Sequence, residues 1–248
     1  MEQRHLNYVD RVNLGGYYTP VHYVALAWKM LSSFLDGKTV ILDCACGYGA
    51  FLEKSTDNIT IGCDIDKVAV NTARENNPQA VIFHANALQN VSREKFNIPV
   101  GDKLAIIGNP PYNDRTSIIR QNIKSSNFSI DAHIATRDLG MSFLLSYNAL
   151  CANYVCVLHP LSYLIKQSNF NLLKKFTSNY KLKEGLIISS EVFSQSSKTI
   201  KFPIVIALYE RDDAGMDYHY IRGFKFKTVE GKCFSQNDFD YISKEGLI

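Results

Sequence analysis

Apolar residues along the chain fall in short blocks, separated by polar breaks marked with Gly, Pro and Asn, and the blocks alternate between two periods. Residues 21–34 repeat at helical spacing and stop before Asp36-Gly37. Residues 39–44 form a continuous run of strand length, followed by Gly47 and Gly49 and a helix-like start. Residues 60–63 predict a second strand ending at Asp64. Asp66 is placed to cap a helix through Val68, Ala69 and Ala73 that stops at Asn77-Pro78. Strands are predicted at 80–84 and 104–108, the latter running into Asn109-Pro110-Pro111. A helix at 139–150, a strand at 154–158, a basic-edged helix at 169–177 and strands at 186–189 and 204–210 complete the pattern. This alternation predicts an α/β fold, a doubly wound and mostly parallel sheet with ligands at the carboxyl ends of its strands. Two stretches stand outside the pattern: the polar segment 113–137, and the mixed-charge segment 212–248.

Composition narrows the class. A chain of 248 residues, 46% of them hydrophobic, has enough apolar surface for one sizeable core and is not a disordered chain. No apolar run is long enough to span a membrane, and MEQRHLNYVD at the start has no apolar core resembling a signal peptide. A cytoplasmic protein is expected. The balance of 27 basic against 24 acidic side chains, net +3, is too even to mark a nucleic-acid binder by itself. The six cysteines include no CxxC pair and no His at zinc-like spacing. They read as reduced, small buried hydrophobes, and no metal is expected.

Three elements carry candidate chemistry. The first is Asp43-Cys44-Ala45-Cys46-Gly47-Tyr48-Gly49, a strand end running into a glycine turn where a ligand can approach the backbone. The second is Gly62-Cys63-Asp64-Ile65-Asp66, about twenty residues on, where a carboxylate can accept hydrogen bonds from the hydroxyls of a ribose. The fingerprint for a pyrophosphate is missing, because the turn reads Gly47-Tyr48-Gly49-Ala50-Phe51-Leu52. A nucleoside cofactor without phosphates fits better than a dinucleotide. The third element is Asn109-Pro110-Pro111-Tyr112 at the end of the fourth strand. Two prolines stiffen the backbone, so the Asn109 side-chain oxygen and the Pro110 carbonyl can accept from one planar amino group while Tyr112 supplies a stacking face.

In this order the motifs resemble the amino-methyltransferases, whose N6-adenine and N5-glutamine members carry [DNS]-P-P-[FYW]. The segment Gly15-Gly16-Tyr17-Tyr18-Thr19-Pro20 resembles the start of the γ-type DNA adenine methyltransferases. The similarity covers about residues 14–211, with Cys44 where Pro is common and Asn86 where Asp is common. It implies a Rossmann-like fold and S-adenosylmethionine as cofactor, leaving S-adenosylhomocysteine as product. Tyr17, Tyr18, Thr19, Pro20, Asp43, Cys44, Ala45, Gly47, Asp64, Ile65, Asn86, Ala87 and Asn109 are implied to bind that cofactor. Asn109, Pro110, Pro111 and Tyr112 are implied to hold an adenine extruded from DNA. Asp138-Leu139-Gly140-Met141-Ser142-Phe143 resembles the family's D-L-x-x-x-F helix.

The expected organisation is a catalytic domain over residues 1–211. Residues 212–248 are an extension, or the start of a missing or split recognition region. Because the family normally adds a long target-recognition domain, a separate recognition subunit is an expected partner beside DNA. A restriction-modification setting is the expected context. Three alternatives share the same residues: a glutamine side chain of a protein as acceptor, an adenine of RNA, or a methyltransferase-like subunit without turnover. The segment 163–201 holds seven Lys and two Glu, a solvated helix face or a phosphate-contacting edge. His84, His133 and His159 are isolated and poor candidates for a base. Phe128, Phe193 or Phe202 could help to hold the acceptor ring.

Overall fold

A computed structural model describes residues 19–52, 57–112, 129–193 and 201–239. Within them the first half runs α1 (Val21–Ser32), β1 (Val40–Asp43), β2 (Thr60–Asp64), α2 (Lys67–Asn76), β3 (Val81–His84) and β4 (Leu104–Gly108). The second half runs α3 (Leu139–Ala149), β5 (Tyr154–Pro160), α4 (Ser162–Ile165), α5 (Gln167–Leu172), α6 (Lys174–Thr177), β6 (Tyr180–Ser189) and β7 (Pro203–Arg211). It closes with α7 (Tyr218–Gly223), β8 (Phe226–Thr228) and β9 (Cys233–Phe234).

The strands form one sheet in the order β3-β2-β1-β4-β5-β7-β6-β8-β9. Strands β1 to β5 are mutually parallel, and β7 enters antiparallel between β5 and β6. The alternation of strands and helices therefore gave the architecture, and β7, with the short β9 beside β8, departs from a parallel sheet. Strand β7 follows β6 in the chain and runs back along it, with Ser189 opposite Pro203 and Tyr180 opposite Arg211. Central strands β1 and β4 are buried along their whole length, as two-sided coverage requires. On one face Val24, Ala27, Trp28 and Leu31 of α1 pack on Ile41, Ala105, Ile107 and Leu158. On the other, Leu139, Phe143, Leu144 and Tyr147 of α3 pack on Val40, Leu42, Ile106 and Val155.

Local details differ from the sequence pattern in four places. The helix expected directly behind Gly49 is a run of turns over 47–52 among the described residues. The helix expected at 169–177 is two short pieces broken at Leu173, preceded by the single turn α4. Strand β6 begins at Tyr180, six residues before the apolar run that announced it. Residues after Arg211 add α7 and two short strands, β8 pairing parallel with β6. Of the six cysteines, Cys44, Cys46, Cys63 and Cys156 are buried, whereas Cys151 and Cys233 are exposed, which corrects the uniform expectation. No described helix is long and apolar enough to cross a membrane.

Candidate cofactor and acceptor site

Because β1 to β5 run in one direction, Asp43, Asp64, His84, Gly108 and Pro160 all end strands at the same edge of the sheet. Asp43 lies at its centre and is 2% exposed. Its Oδ1 accepts from the Ala45 N–H at 3.1 Å, and its Oδ2 is buried with no hydrogen-bond partner. Burial, with Asp64 nearby, raises this carboxyl to about 8. Gly108 explains how the carboxylate fits under β4. Its φ is +152°, and a Cβ there would lie 2.6 Å from Asp43 Oδ1.

Asp64 is bound to the turn beside it. Gly47 N–H donates to Oδ2 at 2.8 Å and Asp66 N–H to Oδ1 at 2.9 Å. Burial raises its carboxyl above the usual range, and the two amide donors oppose that shift. Each oxygen keeps a second lone pair for a ligand hydroxyl. Ile65 comes next and is 42% exposed, an apolar side chain presented at the strand edge. Asn86 is used locally: Oδ1 accepts from Leu88 N–H at 3.0 Å, and Nδ2 donates to the Ser129 carbonyl at 2.6 Å. Ala87 beside it is part of the core.

The turn itself is supported from below by the end of α2. Asn76 Nδ2 donates to the Tyr48 carbonyl at 3.0 Å, and Asn77 Nδ2 to the carbonyls of Gly49 (3.3 Å) and Ala73 (3.1 Å). By sequence Asn77 reads only as a helix stop. The positive φ of Gly49, +84°, and the collision of a hypothetical Cβ with Asn77 Nδ2 both require glycine there.

At the end of β4, Asn109 Nδ2 donates to Thr19 Oγ1 at 3.1 Å. Asn109 Oδ1 is buried and has no partner. Thr19, 3% exposed, thereby joins the start of the described chain to the Asn-Pro-Pro-Tyr segment. Pro20 comes next as the N-cap of α1, where no side chain caps the helix. Tyr112 stands edge-on to Phe202, with ring centroids 6.3 Å apart. Its backbone abuts Gly140 in the first turn of α3. That turn is capped by Asp138, whose Oδ1 accepts from the N–H groups of Gly140 and Met141 and from the Tyr163 hydroxyl. Tyr163 in turn stacks on His159, with centroids 5.3 Å apart and planes at 9°. Neither Gly140 nor Tyr163 stands out in the sequence.

Other candidates separate from this edge. His159 is buried, hydrogen-bonded to the Tyr209 hydroxyl at 2.6 Å, and burial lowers it to about 4, so it stays neutral in the core. His84 and His133 are exposed. Within the lysine-rich segment, Lys183 pairs with Glu210 at 2.9 Å and Lys201 with Glu191, while Lys166 and Lys174 are exposed. Phe193 is buried. Among the described residues no group of three His, Cys, Asp or Glu is placed to hold a metal ion. Tyr17, Tyr18 and Phe128 lie outside the described residues.

The family described as methyltransferase small domain matches residues 24–133. That span covers the glycine turn, the ribose-type acidic strand end and Asn109 to Tyr112. By sequence, no curated protein matches the chain. Among solved structures, a Listeria monocytogenes protein described as a class I S-adenosylmethionine-dependent methyltransferase is similar with a TM-score of 0.56 and 16% identity. The match covers 86% of this chain and 66% of that one. A modification subunit of a type I restriction enzyme from Vibrio vulnificus is similar with a TM-score of 0.54 and 16% identity, covering 94% of this chain and 54% of that one. The chain thus spans about two thirds and about half of these two structures. The chain shares a Rossmann-like fold with these structures.

Proposed function

We propose that this chain transfers the methyl group of S-adenosylmethionine to the exocyclic N6 of an adenine in DNA. The observation that carries the acceptor assignment is the Asn109 amide. Its nitrogen is held by Thr19, while its oxygen is buried without a partner at the strand edge. A buried acceptor left unmade is costly, and a ligand amino group is the donor that would satisfy it. Asp43 Oδ2 is in the same condition about one strand away and suits the ammonium of the cofactor's methionine end. Asp64 then takes the ribose hydroxyls, and Ile65 offers its apolar side chain to the cofactor's adenine. Cys44, Ala45 and Gly47 line the turn, with Thr19 and Pro20 on its other side. Asn86 and Ala87 form the wall beyond Ile65, Asn86 through its backbone because its side chain is engaged.

In this reading the acceptor adenine stacks on Tyr112 after leaving the duplex, since N6 within a base pair cannot reach the methyl group. Asn109 Oδ1 and the Pro110 carbonyl accept its two N–H bonds, and Pro111 fixes the backbone between carbonyl and ring. Accepting both protons pulls the nitrogen towards a tetrahedral shape and frees its lone pair. N6 attacks the methyl carbon and the sulfonium C–S bond breaks with its electron pair left on sulfur. One N6 proton is then released to solvent, giving methyladenine and S-adenosylhomocysteine. The sulfonium already activates the methyl group, so alignment is the protein's main contribution.

The Asn-Pro-Pro-Tyr resemblance supports an amino acceptor, and the similarity to a restriction-enzyme modification subunit is in keeping with DNA and with a separate recognition subunit. The test is incubation of the purified chain with tritiated S-adenosylmethionine and, separately, DNA, RNA and protein extracts, with and without the products of neighbouring genes. Label should enter DNA as N6-methyladenine. Asn109→Ala should reduce the rate at least about a hundredfold, the scale of losing a hydrogen bond aimed at the reacting group. Label in RNA or protein alone would overturn the DNA assignment, and a wild-type rate in Asn109→Ala would overturn the site.

A further inference from the structure

We infer that Asn76 and Asn77, at the end of α2, are positioning residues for the cofactor turn. The expectation for a strand, a glycine turn and a helix is that the first turn of the helix fixes the loop and presents its amides. Here residues 47–52 are turns, and position 52, where a third fingerprint glycine would allow close helix packing, is Leu. Within the loop, Gly49 N–H donates to the Cys46 carbonyl and Leu52 N–H to the Gly49 carbonyl, each at 2.8 Å. Two adjacent amide side chains hold it from the neighbouring strand–helix unit: Asn76 grips the Tyr48 carbonyl, and Asn77 grips the Gly49 carbonyl.

The direction of these bonds matters. Asn77 is fully buried beneath the turn, and its Nδ2 is fixed between Gly49 and Ala73 at the last turn of α2. In a trans peptide the C=O and the following N–H point opposite ways. With the Gly49 carbonyl drawn down to Asn77, the Ala50 N–H faces away from α2. In this inference that donor, turned away from Asn77, serves the anionic end of the cofactor. The Asn77 amide also explains why Gly49 has to be glycine, since the side chain of any other residue would collide with Nδ2. The pair therefore sets which way the loop peptides face, in addition to ending a helix.

The inference rests on S-adenosylmethionine as the cofactor and is independent of the methyl acceptor. It is tested on the full chain by calorimetric titration with S-adenosylhomocysteine, alongside thermal melting without ligand. The proteins are wild type, Asn76→Ala, Asn77→Ala and, as a control on the exposed face of α2, Asn71→Ala. Each loop-facing variant should weaken binding by about tenfold, the usual scale of one hydrogen bond, and Asn71→Ala should leave it unchanged. A purely structural helix-ending role would lower the melting temperature of Asn77→Ala and leave the dissociation constant of the folded protein unchanged. That pattern in both variants, or binding within twofold of wild type, overturns the inference. If Asn77→Ala does not fold, Asn76→Ala decides, because its amide is only half-buried. Wild-type protein that binds no S-adenosylhomocysteine would end the cofactor assignment and this inference together; binding by wild type and variants alike ends this inference only.

Discussion

Asp43 concentrates the chemistry of the proposed cofactor edge in one carboxyl group. Burial raises it from 3.8 to about 8, and its second oxygen has no partner. The sign of the consequence follows from linkage. The folded protein holds this proton more tightly than the unfolded chain, so Asp43 favours folding fully below pH about 4, and that support is withdrawn as pH rises towards 8. Melting of the ligand-free protein should therefore fall over this range, and Asp43→Asn should flatten that part of the curve. Cofactor binding should respond in the opposite sense. An ammonium placed against Oδ2 needs the ionised form, so S-adenosylhomocysteine should bind more tightly at pH 8 than at pH 6, with proton release at the lower pH. Calorimetry in buffers of different ionisation enthalpy measures that release. Its absence would mean that Asp43 does not meet the ligand's cation. At this scale the sequence was informative where spacing alone places a group, as for Asp43 and Asp64. It named Asn86 through the family resemblance and gave no sign that its side chain is tied to Leu88 and Ser129, because the segment that supplies Ser129 carries no periodic signal.

Helices and strands place those residues, and α3 shows how one element can act on the site without entering it. Its N-cap Asp138 gathers two backbone amides and the Tyr163 hydroxyl, and Tyr163 is held in turn by its stack on His159. Gly140 then lies so near Tyr112 that a Cβ would come within 2.9 Å of the Tyr112 Cβ and 2.6 Å of Tyr163 Oη. Neither neighbour can yield cheaply, the first being backed by proline-stiffened backbone and the second by Asp138. Gly140→Ala should displace Tyr112, at a cost of roughly 1–3 kcal/mol for overpacking. The expected outcome is methyl transfer about tenfold to a hundredfold slower, with S-adenosylhomocysteine affinity close to wild type, read as a change in kcat/KM beside calorimetry. Equal losses in both would place the damage in the fold. The existence of α3 was legible from the apolar run 139–150, and its capping by Asp138 came only with the structure. The role of Gly140 was not legible either, because helical period says which face is buried and nothing about which neighbour needs the missing side chain. The break at Leu173 escaped for a related reason: Phe170, Leu173 and Phe176 continue through it at helical spacing.

Across the whole molecule, the five parallel strands were readable because each is a short apolar run bounded by turns, four of them largely buried. The region beyond Arg211 was not, because its strands are three and two residues long and too short to show a period. Aromatic packing defines that region. Phe226 is fully buried against Gly185 of β6, where a Cβ would lie 2.8 Å from its ring, and Phe224 and Phe234 pack on it. Tyr218 and Gln236 both donate to the Ile165 carbonyl, between α4 and α5. These contacts tie the segment to β6 and to the loop after β5. Ending the chain at Arg211 would uncover the edge of β6 and strip its cover of Ile221 and Phe226, each 0% exposed. At about 1.5–3 kcal/mol for each large apolar side chain, the loss is about 3–6 kcal/mol, much of a domain's net stability. An open edge strand also invites pairing between copies. Chain 1–211 should therefore melt well below the full chain and scatter light on warming, as circular dichroism and dynamic light scattering would show. Equal melting temperatures would instead identify residues after 211 as a dispensable extension, leaving β6 stable as an edge in its own right.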